Sequence, residues 1–264
     1  MHVLLPTTAL ATVLAVSAPL AFAPAQQAAS PHQWRGTVAQ GSAIEIKGVN
    51  GDVKAMPSTG AEVEVSVVMR GRRSNPADVR IDVVPHSDGV TICAVYPSPD
   101  SRPNECLPGE GGRMNTRDND VNVAFTVRVP PGVRFIGRTV NGDVSADGLS
   151  APVSVTTVNG DATFSTSAYG EAVSVNGSVR GSMGNAQWTD RLELRSVNGS
   201  ITVDLPADTS AEVKAATVNG SISTDFPMTV TGKVNPRRLT ATIGGGGRGL
   251  DLETVNGSII LRKR

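Results

Sequence analysis

The chain has 264 residues, with 24 Lys and Arg balanced by 24 Asp and Glu, 39% hydrophobic and only 3% aromatic content, and 2 cysteines. A net charge of zero excludes a protein that binds nucleic acid through bulk electrostatics, and two cysteines exclude a disulfide-dense scaffold or a four-cysteine zinc site. The abundance of Val, Thr, Ser, Ala, Gly and Asn with few aromatics points to narrow β structure.

Residues 1–25 contain no Asp, Glu, Lys or Arg, and Leu10–Phe22 is largely apolar. That run is shorter than the ~20 residues a membrane span needs, and small residues come after it, the pattern of a signal peptide. Cleavage after Ala25 is expected, because a cut after Ala23 would leave Pro24 at the new N-terminus. The mature chain is then extracytoplasmic (periplasmic or secreted), with no stable membrane insertion.

Residues 26–133 read as an N-terminal β-strand region. Strand signals cover 61–69, 78–84, 89–96 and 121–129 and predict an antiparallel or mixed sheet capping one end of the C-terminal repeat region. Residues 97–119 form a long loop rich in Pro, Gly, Asn and Asp. Cys106 lies in this loop and Cys93 on the strand before it. In an oxidising compartment the two are expected to pair as a disulfide.

Residues 134–264 read as a β-solenoid, an all-β, parallel β-helix-like fold. Val-Asn-Gly-Asp occurs at 49–52, 140–143 and 158–161, and Val-Asn-Gly-Ser at 175–178, 197–200, 218–221 and 255–258. From Asn141 onward the Asn-to-Asn steps are 18, 17, 22, 21 and 37 residues. A step near 20 suits one coil of stacked strands, and the doubled last step predicts a coil that has lost its marker. Asn-Gly is also the strongest hairpin signal. A two-residue hairpin, however, would pair the marker valine with Asp or Ser on one face in every copy.

Each coil is therefore expected to run as strand, corner at Thr/Ser-Val-Asn-Gly, strand and variable loop. Two successive residues, the hydroxyl residue and the valine, are expected to claim the interior at the corner. Stacked asparagines would form an amide ladder at the strand spacing of about 4.8 Å. The basic tail Arg262-Lys263-Arg264 is expected to blunt an open end.

The sequence offers little chemistry. His32 and His86 lie in no metal-ligand spacing. Gly244–Gly249 matches a dinucleotide-loop pattern, but an alternating strand comes after it rather than the required helix, so it reads as a tight corner. Asp143 and Asp161 stand at equivalent places on successive coils, as do Asp147, Asp204 and Asp225. They suit turn acceptors for backbone N–H groups better than calcium ligands. Arg70-Gly71-Arg72-Arg73 reads as a solvated turn. The expectation is no catalytic residue, no cofactor and no metal site.

The repeated Thr/Ser-Val-Asn-Gly-Asp/Ser unit, the closing run 224–259 and Val127–Val133 resemble the bacterial exported "putative adhesin" family, a β-strand-repeat domain of unknown function. The resemblance covers nearly the whole mature chain and implies no defined activity and no catalytic residues. The resulting expectation is a non-enzymatic structural, adhesive or binding module at the cell envelope. Its partner would be an envelope component or glycan, not nucleic acid, and the repeat specifies no oligomeric state. A polysaccharide-active enzyme on a β-helix scaffold is the alternative, and an end-stacking scaffold a third.

Overall fold

The computed structural model describes residues 27–28, 32–232 and 235–264; the leader expected at 1–25 lies outside them. The described residues form 22 strands and a single 3-10 turn, Pro76–Asp78, with no α-helix among them. The strands build two sheets of 11 strands each. One holds the strands that enter the Val-Asn-Gly units and the other holds those that leave them; we call them the entry and exit sheets.

Within the entry sheet, Ala43–Lys47, Arg134–Arg138, Val153–Asn159, Gly170–Asn176 and Leu192–Asn198 pair in parallel, one coil beside the next. The exit sheet repeats the order with Val53–Pro57, Val144–Leu149, Ala162–Thr166, Val179–Met183 and Ile201–Leu205. Parallel pairing excludes hairpins at the markers, since parallel strands require a crossover. The chain is a β-solenoid.

The core is one continuous apolar cluster between the sheets. Valine, isoleucine, leucine and alanine alternate inward from both sides, each large aliphatic side chain stabilising the fold by ~1.5–3 kcal/mol when fully buried. Where a phenylalanine enters so thin a core, glycine clears space: a Cβ on Gly181 would stand 2.6 Å from the Phe164 ring, and one on Gly170 2.7 Å from it.

The corners differ from expectation in one respect. The hydroxyl residue points inward, but the marker valine after it points to water: Val158 is 37% exposed, Val197 40% and Val218 55%, whereas Val49 of the first copy, preceded by Gly48, is buried. Strict alternation continues through the valine, so Leu192, Leu194 and Ser196 face in while Glu193, Arg195 and Val197 face out. The switch of face falls at Asn-Gly, one step later than predicted.

The cause is the hydroxyl. Buried and in need of a partner, Thr157 Oγ1 donates to the Gly142 carbonyl at 2.8 Å, Ser174 Oγ to Gly160 at 2.8 Å, Ser196 Oγ to Gly177 at 2.8 Å and Thr254 Oγ1 to Gly199 at 2.8 Å. Each corner hydroxyl thus ties its coil to the glycine of the coil beside it.

The asparagines do form a ladder. Asn141 Nδ2 donates to Asn50 Oδ1, Asn159 to Asn141, Asn176 to Asn159 and Asn198 to Asn176, each at 2.8 Å. It continues from Asn256 to Asn198 at 2.7 Å and from Asn219 to Asn256 at 2.8 Å.

That order exposes a second correction. No unmarked coil fills the 37-residue step. After Ala211–Asn219 and Ile222–Thr224 the chain makes the antiparallel strands Met228–Val230 and Arg238–Ile243. It then returns to insert Arg248–Asn256 between Leu192–Asn198 and Ala211–Asn219. Gly244–Gly247 arches over the end of strand Ala211–Asn219, where Gly245 N–H donates to Ser210 Oγ at 3.2 Å. The closing strand Ile259–Lys263 lies between Ile201–Leu205 and Ile222–Thr224. The strand that carries the basic tail is therefore not the edge of its sheet; Ile222–Thr224 is, and it reaches only to Leu261, while Arg262 and Lys263 pair with Asp204 and Leu205 on the other side.

The first marker copy, 49–52, stacks on the others without a break. Beyond it Gly89–Val95 and Asn122–Val129 continue the parallel order. Arg80–His86, Val63–Gly71 and His32–Gly36 then close that end with antiparallel pairing, which makes the N-terminal sheets mixed.

Candidate functional site

In-register stacking converts each offset from the marker asparagine into a row along the outside of a sheet. Five residues before each asparagine stand Glu45, Ile136, Ser154, Glu171, Glu193, Asp251 and Lys214 on the outer face of the entry sheet. Glu171, Glu193 and Asp251 come from coils that are adjacent in space. Two of the three are neutralised. Arg195 pairs with Glu193 at 2.5 Å and with Glu253 at 3.2 Å, and Arg191 pairs with Asp251 at 2.6 Å.

Glu171 has no ion-pair partner among the described residues. Burial pushes its carboxyl up from the ordinary range, and the neighbouring carboxylates of Glu193 and Asp190 push the same way against a backbone hydrogen bond from Glu193.

Glu171 lines a groove of about 370 Å³ together with Arg134, Ser154, Tyr169, Asp190 and Arg191. The groove's walls are braced. Arg134 is held by Asp88 at 2.6 Å and by the Gly41 carbonyl at 2.8 Å. The segment 184–191 is anchored by Trp188, which is buried and donates from Nε1 to the Gly249 carbonyl at 3.0 Å. An aromatic ring, hydroxyls and two carboxylates without ion pairs among the described residues, Glu171 and Asp190, suit recognition of a polar ring bearing hydroxyl groups.

A raised folded-state pKa has a definite consequence. Between its ordinary value of 4.5 and the raised value, the folded state binds more protons than the unfolded state. Stability therefore falls as pH rises through that window. Glu171→Gln is expected to melt above the parent protein at neutral pH, with the difference vanishing below the ordinary carboxyl range. Thermal melts of both proteins across pH check it; a parent that melts higher at neutral pH would show that Glu171 is satisfied.

The residues singled out from sequence lie elsewhere. The aspartate column serves as backbone acceptor: Asp52 Oδ1 accepts from Asp143 N–H at 2.9 Å, Asp143 Oδ1 from Asp161 N–H at 2.8 Å and Asp161 Oδ1 from Ser178 N–H at 2.7 Å. Ser200 Oγ takes over that role for Ser258 N–H at 3.1 Å. His86 stands 3.2 Å from Thr91 Oγ1 rather than in open solvent.

Cys93 and Cys106 form a disulfide that holds the loop 97–119 over the outer face of the entry sheet, near Glu45. Glu45 is 3% exposed; it accepts from Thr91 Oγ1 at 2.8 Å and from Gly109 N–H at 3.0 Å, with Arg138 at 3.3 Å.

Residues 133–262, just under half of the chain, match the family model described as Toastrack DUF4097. The Glu171 groove lies within the matched residues, as do six of the seven markers. Among solved structures, a "putative cell adhesion protein" from Clostridium sporogenes is 10% identical, with 89% of this chain and 100% of that chain covered and a TM-score of 0.43. A "putative adhesin" from Bacteroides fragilis is 11% identical, with coverages of 89% and 97% and a TM-score of 0.25. A "putative lipid binding protein" from Parabacteroides distasonis is 10% identical, with coverages of 89% and 96% and a TM-score of 0.24. No curated protein matches the chain.

Proposed function

We propose that the protein is a non-enzymatic, extracytoplasmic binding module of the bacterial cell envelope, with a glycan as its ligand in the Glu171 groove. The observation that carries this reading is the groove itself: Glu171 and Asp190 stand there without an ion-pair partner among the described residues, beside Tyr169, while Glu193 and Asp251 of the same row are closed by arginine. A sugar stacks on an aromatic ring and donates its hydroxyls to a carboxylate, and both elements converge here. The disulfide supports an oxidising, extracytoplasmic compartment.

The second reading, a polysaccharide-active enzyme, draws its support from the raised Glu171 carboxyl beside Asp190. Hydrolysis by paired carboxyl groups needs an acid and a second carboxylate free to act on the sugar. Glu193 and Asp251 are engaged at 2.5 and 2.6 Å, which leaves the exposed Asp190 as the second carboxylate this reading would use.

The test is an array of soluble peptidoglycan fragments and bacterial polysaccharides, probed with the mature chain. The expected result is retention of one glycan class, weakened about threefold to tenfold by Tyr169→Ala, as loss of an aromatic contact predicts, with no release of sugar ends. Retention of no glycan, or an unchanged Tyr169→Ala variant, would overturn the reading. Release of sugar ends that Glu171→Gln abolishes would establish the enzyme instead.

A further inference from the structure

At the capped end of the solenoid, strand Val63–Gly71 reverses through a turn at Gly71–Ser74, and Arg70, Arg72 and Arg73 fan out from it as exposed side chains. With Asp120 and Asn122 they surround an open cavity of about 640 Å³. The turn is built to present them. A Cβ on Gly71 would stand 2.1 Å from the Ser74 carbonyl oxygen, so the reversal tolerates no side chain there. Asp120 accepts from the backbone N–H of Arg73 at 3.1 Å and of Ser74 at 2.9 Å, and Ser74 Oγ accepts from Asp120 N–H at 3.2 Å.

Those bonds occupy the acid in the cleft. Its one guanidinium contact is Arg73 at 3.7 Å, and neither Arg70 nor Arg72 has an ion-pair partner among the described residues. The undescribed residues supply none either, because the first carboxylate of the sequence is Glu45 and residues 233–234 are Lys and Val.

A second observation places this cluster. Gln27–Ala28 pairs antiparallel with Gly71–Arg70, so the start of the mature chain is laid along the same turn. The apolar run ends at Phe22, five residues earlier, a reach of at most ~18 Å for extended chain. An apolar run held in a bilayer would keep Gln27–Ala28, and the turn paired with them, within that distance of the membrane surface. Cleavage after Ala25 would leave a further positive charge, the α-ammonium of Gln26, beside Gln27.

We propose that Arg70, Arg72 and Arg73 bind the phosphate groups of anionic lipid headgroups and hold the capped end of the solenoid to a membrane surface. Guanidinium forks match phosphate oxygens in geometry as well as charge. The formal net charge of the chain is zero, so attraction to an anionic surface must come from a local cluster.

The experiment sediments the full mature chain, disulfide intact, with vesicles of phosphatidylcholine alone and of phosphatidylcholine mixed with phosphatidylglycerol. Binding is expected only to the anionic vesicles and should fade as salt rises. The triple variant Arg70→Gln, Arg72→Gln, Arg73→Gln should lose roughly fivefold per arginine, about a hundredfold in all, with an unchanged melt. A charge-matched control, Arg180→Gln, Arg262→Gln, Arg264→Gln, should bind as the parent does.

Failure to bind anionic vesicles, an unaffected triple variant or an equal loss in the control would each overturn the proposal. Inorganic phosphate titrated alone separates the sources: saturation by phosphate without vesicle binding would assign the site to the free ion. Tighter capture of polyglycerol phosphate than of vesicles would assign it to an anionic polymer.

Discussion

Gly177→Ala is expected to destabilise the fold by about 3 kcal/mol or more, the upper range for overpacking a close-packed interior. A Cβ there would stand 1.9 Å from the Gly160 carbonyl oxygen and 2.5 Å from its carbon. Both atoms are backbone, and neither can swing away as a side chain would. The same approach recurs up the stack, with 2.0 Å at Gly199 and 2.2 Å at Gly257. Spreading two coils to admit a methyl group strains the ties on either side of it. Ser174 Oγ would lose its 2.8 Å bond to Gly160, and Asn176 Nδ2 its 2.8 Å bond to Asn159. Gly245→Ala is the control, since the nearest atom to its Cβ lies 3.9 Å away, and it should stay within about 0.5 kcal/mol of the parent. Urea denaturation midpoints of the two variants decide the matter. Equal midpoints would mean that the corners have room and that glycine recurs there for another reason.

The corners also show how far sequence reasoning reaches. Five asparagines at coil spacing, Asn141 to Asn219, are enough to predict parallel stacking and the amide ladder, because both arise from repetition alone. The direction of the valines escapes that reasoning because valine reads as an interior residue, and a switch of face at Asn-Gly, one step later, leaves no mark in the apolar pattern. The glycine carbonyl of the neighbouring coil satisfies the hydroxyl before it and so lets strict alternation run on through the valine. Val218, 55% exposed, stands outside for the sake of Thr217, whose hydroxyl donates to the Gly257 carbonyl at 2.8 Å. The insertion of Arg248–Asn256 between two earlier strands is hidden for a different reason. Spacing reports how much chain separates two coils, not which coils touch.

The groove is an intermediate case. Counting back five from each asparagine selects Glu171, Glu193 and Asp251 from sequence alone once in-register stacking is granted. Which of the three lacks a counter-charge depends on Arg191 and Arg195. Arg191 leaves the segment 184–191, a connection with no periodicity to read. Tyr169 similarly precedes its strand by one residue and reaches the groove only through the turn between coils. The row is legible; the lack of a cation beside Glu171 is not.

Replacing Cys93 and Cys106 together by serine is expected to cost about 3 kcal/mol in the unfolding equilibrium, the chain-entropy value for closing a loop of this size, and to free 97–119 while the coils persist. The two cysteines and Val95 form an apolar cluster separate from the main core, with Val84 packed against it, so loosening the loop does not propagate inward. The remaining ties are polar. Arg113 holds Asp100 at 2.7 Å and keeps its carboxyl at about 2, so this tie should last until pH falls toward that value. Lys47 Nζ donates to the Leu107 carbonyl at 2.6 Å. Asn104 Nδ2 donates to the Tyr96 carbonyl at 2.9 Å and to the Asn115 carbonyl at 2.7 Å. Neutral amide bonds such as those of Asn104 contribute on the order of 1 kcal/mol each in water, too little to fix so long a loop against its entropy once the covalent link is gone. Opening it would admit water to Glu45, which the loop buries. Trypsin provides the readout through Arg102, Arg113 and Arg117. The oxidised protein should resist, and the double variant should be cut within the loop while residues 134–263 survive as a folded fragment. Equal resistance would assign the loop's order to its polar ties instead.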